Sequence, residues 1–206
     1  KLSIFTFAVT LFASNLSAQS SRSDHWCATD QNYEENKQNN PSSVQTREAV
    51  EAYIKSYIQS DKVSKKKATI IIPVVVHNIT HDGGVGYVSK SEIEAQIERL
   101  NIDFKRMNSD AVETRPVFAP FAASLDVEFR LAHIDPNGEC TEGIVRVENA
   151  LSLYPVPRNS VKSVSYWPNN GTRKYFNIWI IDEIESHGDG SYVAGYAQFP
   201  GSNDDG

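Results

Sequence analysis

Chemistry in this chain would have to come from five histidines, two cysteines and one run of carboxylates. The histidines are His25, His77, His81, His133 and His187, and no HExxH motif, which sets two imidazoles on one helical face to grip a metal, occurs among them. His77 and His81 are four residues apart but flank a strand end and a turn, where that spacing gives no shared face, so they read as structural or solvated side chains. Asp182, Glu183, Glu185, His187 and Asp189 gather in one loop. They have the donor chemistry of a calcium site or of the carboxylate pair of a glycoside hydrolase. A glycosidase would need a second carboxylate cluster facing that loop, and none is seen; a solvated acidic loop accounts for the run with no further assumption. Cys27 and Cys140 are too few for a disulfide scaffold, although they could pair with each other. Asn78-Ile79-Thr80 and Asn170-Gly171-Thr172 are glycosylation sequons, relevant to a eukaryotic source.

Composition removes several function classes. Twenty basic against 26 acidic side chains leave a net charge of −6, and Lys65-Lys66-Lys67 is the only compact basic run, so no nucleic-acid partner is expected. Three Trp, nine Tyr and nine Phe with several β-branched runs exclude disorder throughout. A chain of 206 residues suits one domain with a smaller appendage.

The chain begins at Lys1 with no initiator Met, runs through an apolar stretch from Leu2 to Leu16 and reaches Ser17-Ala18-Gln19. A basic start, an apolar stretch too short to span a bilayer and a small residue before the cut make residues 1–18 a secretory signal peptide. The mature protein is then expected to be secreted, with no membrane anchor. Residues 19–67 are polar and largely irregular, with one predicted helix. Ser42 and Gln45 have capping-box spacing there, and Val50, Tyr53, Ile54, Tyr57 and Ile58 recur at helical intervals. Lys62, Lys65, Lys66 and Lys67 then form an exposed basic link, either a solvated linker or a cut site between a pro-segment and a mature domain.

A compact domain is predicted over residues 68–206. Thr69 to Val76 is a continuous β-branched run suited to a strand covered on both faces. Asp82-Gly83-Gly84 turns the chain, Ser91 and Glu94 have capping-box spacing, and Ile93, Ile97, Leu100, Phe104 and Met107 mark a helix. Further strands are predicted at Val127 to Ile134, Ile144 to Val147, Tyr175 to Ile184 and Ala194 to Phe199, with residues 149–173 read as loop that has room for a short helical turn. The fold class is α/β (α+β): a twisted mixed five-stranded sheet with one backing helix. Nothing in the sequence is seen to cover the second face, so a covering helix is expected downstream of Gly206 and the chain reads as a fragment at both ends.

Ile72-Pro73-Val74-Val75-Val76-His77, the helix positions Gln96-Ile97, Leu100-Asn101 and Asp103-Phe104, and Val127-Glu128-Phe129-Arg130-Leu131-Ala132 resemble the N-terminal half of the pappalysin-type metzincin peptidases. Asp135-Pro136, Thr141 to Arg146, Asn177-Ile178-Trp179-Ile180 and Gly195 to Gly201 continue that resemblance in the same order. It implies a metzincin-like N-terminal subdomain of a secreted zinc endopeptidase acting on protein or peptide substrates. In that family three histidines of HExxHxxGxxH hold Zn2+, the Glu acts as general base on the metal's water, and a Met-turn follows. None of these is present here, so the chain alone is expected to be inactive, its zinc held by residues beyond Gly206. The resemblance also makes Gly195, Tyr196, Ala197, Gln198 and Phe199 an edge strand that pairs antiparallel with an extended substrate through its main chain. It makes Cys27 a zymogen switch whose thiolate takes the fourth zinc position, although Ala28 stands where the family has Gly. A different class remains open, a secreted non-catalytic module that binds a partner protein through an exposed sheet edge.

Overall fold

The computed structural model describes residues 27–60, 69–168, 174–186 and 192–199. The predicted signal peptide, His25, the Lys62–Lys67 link, the sequon at Asn170, His187, Asp189 and residues 200–206 lie outside these described residues.

The strand predicted from Thr69 forms as β1 (Ile70–Thr80), the centre of a four-stranded sheet. β2 (Val127–Leu131) and β3 (Ile144–Glu148) lie end to end along one edge of β1, and β4 (Phe176–Ile180) lies along the other. Val74 faces Leu131 and Phe176, while Val76 faces Ile144 and Ile178. All three pairings are parallel, β1 is hydrogen-bonded along both edges, and from Val74 to Thr80 its residues are buried on both faces, which accounts for its near-continuous apolar run. Residues 132–143 leave the sheet between β2 and β3 and return at Gly143, whose φ of +70° and 2.6 Å approach of a would-be Cβ to the Ala132 nitrogen leave no room for a side chain.

Alternation along β1 splits the core into two layers. Val74 and Val76 pack with Phe129 against Ile93 and Ile97 of α3 (Lys90–Phe104). The cap of α3 falls two residues earlier than the sequence suggests: Ser89 and Glu92 form the reciprocal capping box, and Met107 lies exposed beyond the helix. Asn101 on α3 bonds both the N–H and the C=O of Phe129, at 2.7 and 2.8 Å, and so closes the outer edge of β2.

The second face carries Val75, His77 and Ile79, each without exposed surface, and here the expectation of a bare face is corrected. The stretch read as loop covers it through 3-10 turns at Ala150–Ser152 and Arg158–Ser163 and through Trp167. Ser152 Oγ donates to the Ile79 carbonyl at 2.6 Å, and Val161 is buried. Such short turns have no hydrophobic period long enough to register in a sequence.

Two further corrections concern the N-terminal segment. It holds two helices rather than one, α1 (Thr29–Asn39) and α2 (Pro41–Gln59). Pro41 occupies the first turn of α2 after Asn40, and no side-chain cap of the Ser42–Gln45 kind forms; Ser42 Oγ bonds Asn40 Oδ1 at 2.6 Å instead. No helix of the described residues is long and apolar enough to cross a membrane.

Candidate functional site

The antiparallel pair β5 (Glu185–Ser186) and β6 (Tyr192–Val193) leads into the segment 194–199. That segment was expected as a fifth strand of the sheet; among the described residues it instead makes a single bridge, from Gly195 to Cys27. Asn159 anchors it from one side, its Oδ1 accepting from the Tyr196 hydroxyl and from Gln198 Nε2, each at 3.1 Å. The main chain of Gly195 and Ala197 meets the N-terminal segment. Ala28 N–H donates to the Gly195 carbonyl at 3.1 Å, and Ala197 N–H donates to Thr29 Oγ1 at 2.9 Å. The bridge is parallel, opposite to the direction expected of a substrate. The Gly195 carbonyl and the Ala197 N–H, main-chain groups of the kind strand addition uses, are therefore already engaged.

Cys27 lies at the start of this contact with an exposed, free thiol. Its hydrogen bond with the Thr29 side chain, 3.2 Å long, is the main cause that holds the thiol pKa below the ordinary value. Ala28 is buried with φ −91° and ψ 14°, a conformation open to any residue, so the position does not require the glycine of the family pattern. Cys140 is also free and exposed, in the hairpin bridged from Ile134 to Cys140, so the two cysteines are not joined.

The remaining candidates are dispersed. His77 is fully buried between Ser165 Oγ on Nδ1 (2.7 Å) and Asn177 Oδ1 on Nε2 (2.9 Å), stacked on Trp179. Burial pushes its pKa down, which suits a neutral structural imidazole. His81 lies at the turn, 3.0 Å from both Asp182 and Asp82, and these carboxylates, Asp182 foremost, raise its pKa. The acidic run is likewise divided: Asp182 serves His81, while Glu185 accepts from Arg158 at 2.6 Å. Asn78 is buried, its amide donating to the Gly86 carbonyl and accepting from Val88 and Arg146, so this sequon is closed to a glycan in the folded chain. Among the described residues no group of three or more His, Cys, Asp or Glu could hold a metal ion, and these residues do not fit a zinc centre.

The sequence offered no signal for the residues that dock the N-terminal segment. Thr29 sits in a polar stretch, and Asn159 sits in the region read as loop.

No protein-family model matches the chain, and no curated protein does. Among solved structures, a mutant of promirolysin from Tannerella forsythia matches at a TM-score of 0.65 and 34% identity. The match covers 87% of this chain, a share that residues 68–206 alone could not supply, and the chain spans 57% of the promirolysin chain. Mature Tannerella forsythia mirolysin in complex with a cleaved peptide, and mirolysin in complex with compound 9, are each 36% identical over 55% of this chain and 43% of their own, at a TM-score of 0.46. The promirolysin match and the order of the sequence motifs support a pappalysin-like metzincin family for this chain.

Proposed function

We propose that this chain is the front part of the zymogen of a secreted zinc-dependent metalloendopeptidase. In this reading residues 1–18 are the signal peptide, 19–67 the pro-segment and 68–206 the N-terminal part of the catalytic domain. The observation that carries it is the parallel attachment of Cys27 to Thr29 along Gly195 to Ala197. A peptide bound in the reverse of the substrate direction reverses the order of its amide nitrogens and carbonyl carbons along the edge. It fills the edge without presenting a bond in the orientation to be cut.

Gly195, Tyr196, Ala197, Gln198 and Phe199 then form the substrate edge of the activated enzyme, and the substrates are proteins or peptides taken up by strand addition. Asn159 is the side chain that keeps this edge extended. Zinc, which the family implies as the Lewis acid of hydrolysis, is held by residues outside this chain, and the chain alone hydrolyses nothing. Cys27 is the zymogen switch of this reading, its free thiol lying beside the occupied edge.

The complete reading frame, expressed and freed of residues 19–67, is expected to hydrolyse casein or a quenched fluorescent peptide, to lose that activity to a zinc chelator and to regain it with added Zn2+. Absence of hydrolysis from the processed, zinc-supplied protein would overturn the reading. Cys27→Ala in the unprocessed protein is expected to give premature activity, and unchanged latency would remove the switch.

A further inference from the structure

Two arginines join the N-terminal segment to the rest of the chain in opposite senses. Arg47, on α2, places its guanidinium carbon 4.0 Å from the centre of the Phe199 ring and 4.7 Å from that of Tyr33. The two rings meet edge to face at 5.4 Å. Glu51 holds Arg47 Nε at 3.1 Å, while Nη1 is buried without a hydrogen-bond partner among the described residues. The aromatic rings are thus the main counterpart of that end of the cation, and removal from water strengthens such a contact.

Arg158 reaches the other way. Its side chain is only 12% exposed; Nε and Nη2 donate to Glu185 at 2.8 and 2.6 Å, and Nη1 lies 3.5 Å from Glu35 on α1. One cation is therefore shared by two carboxylates from two separate segments. Without it, Glu35 and Glu185 would repel each other across the junction. Each arginine also has a carboxylate on its own side, Glu51 or Glu185, so separation of the segments leaves neither cation without a counter-charge.

We infer that these two reciprocal arginine contacts form an autoinhibitory latch that docks the N-terminal segment on the 195–197 edge independently of the Cys27 thiol. The inference rests on the reading of residues 19–67 as a pro-segment. It makes release reversible and sensitive to salt, because Glu35 is half-exposed.

The test is hydrogen exchange on the 206-residue chain, following the Ala197 amide with the β1 amides as folding control. Arg47→Ala and Arg158→Gln are each expected to speed exchange at Ala197 about tenfold while β1 stays protected. Adding Glu35→Gln to Arg158→Gln restores part of the protection by removing the repulsion, and Cys27→Ser changes nothing. Unchanged exchange at Ala197 in both arginine variants overturns the latch, as does release by Cys27→Ser alone. If Arg158→Gln also opens β1, Arg47→Ala together with Phe199→Leu decides, both substitutions lying outside the strands of the sheet. Exchange is read without catalysis, so the two proposals fail separately: an inactive processed enzyme leaves the latch standing, and unchanged exchange leaves the peptidase reading standing.

Discussion

The hydroxyl of Thr29 accepts the backbone N–H of Ala197 at 2.9 Å across 168 residues of sequence, and it is also the hydrogen-bond partner of the Cys27 thiol. One side chain therefore touches both the Ala197 amide and the Cys27 thiol. Thr29→Val keeps the shape and removes both bonds. The loss of the Ala197 bond should weaken docking by about 0.5–1.5 kcal/mol, about twofold to tenfold in exchange rate at Ala197. The Cys27 thiol should move back up toward its ordinary pKa, because the Thr29 side chain is the main cause of its lowering. The pH dependence of iodoacetamide labelling measures the second effect, and an unshifted profile would count against it.

His77 makes the fold acid-sensitive. Burial lowers its pKa in the folded chain, against about 6.5 when unfolded. The unfolded chain thus binds the proton more readily. The stability from neutral His77 is complete above about pH 6.5 and declines as pH falls below it toward the folded value. Urea midpoints at pH 7.5 and 5.5 should differ in that sense, and the difference should shrink in His77→Gln, which retains polar atoms but does not titrate.

His81 has the opposite sign. Its pKa is raised, first by Asp182 and then by Asp82, so its contribution is complete below the unfolded value of about 6.5 and is lost as pH rises through the folded one. An NMR titration should place the His81 imidazole above the ordinary histidine value in the parent and bring it down in Asp182→Asn. Coincident titration curves would disprove the pairing.

Two glycines should respond differently to alanine. Gly143→Ala combines a left-handed φ of +70° with a Cβ 2.6 Å from the Ala132 nitrogen, so a loss of at least about 2 kcal/mol is expected, seen as a fall of several degrees in Tm. Gly195→Ala meets open space, and its cost should stay within about 0.5 kcal/mol. Equal melting temperatures for the two variants would contradict the close approach at Ala132.

Sequence alone determined the parts whose signal is local. The β-branched run of β1, the 3.6-residue period of α3 and the turn at Asp82-Gly83-Gly84 specify their own faces and ends, to within two residues at the Ser89 cap. Ordered motifs from Ile72 to Gly201 were enough to point to the family. Tertiary structure decided what pairs with what. Only the folded chain shows that irregular residues 150–167 cover the second face of the sheet, that Asn78 is closed inside it, and that residues 27–29 run parallel to 195–197. It also decided that Arg47 meets Phe199 and Arg158 meets Glu35. The physical reason is that hydrophobic period and capping chemistry report on neighbours within a few residues. A main-chain hydrogen bond or a cation over a ring carries no residue-type pattern that spans more than a hundred residues, so its partner exists only once the sheet has placed both ends.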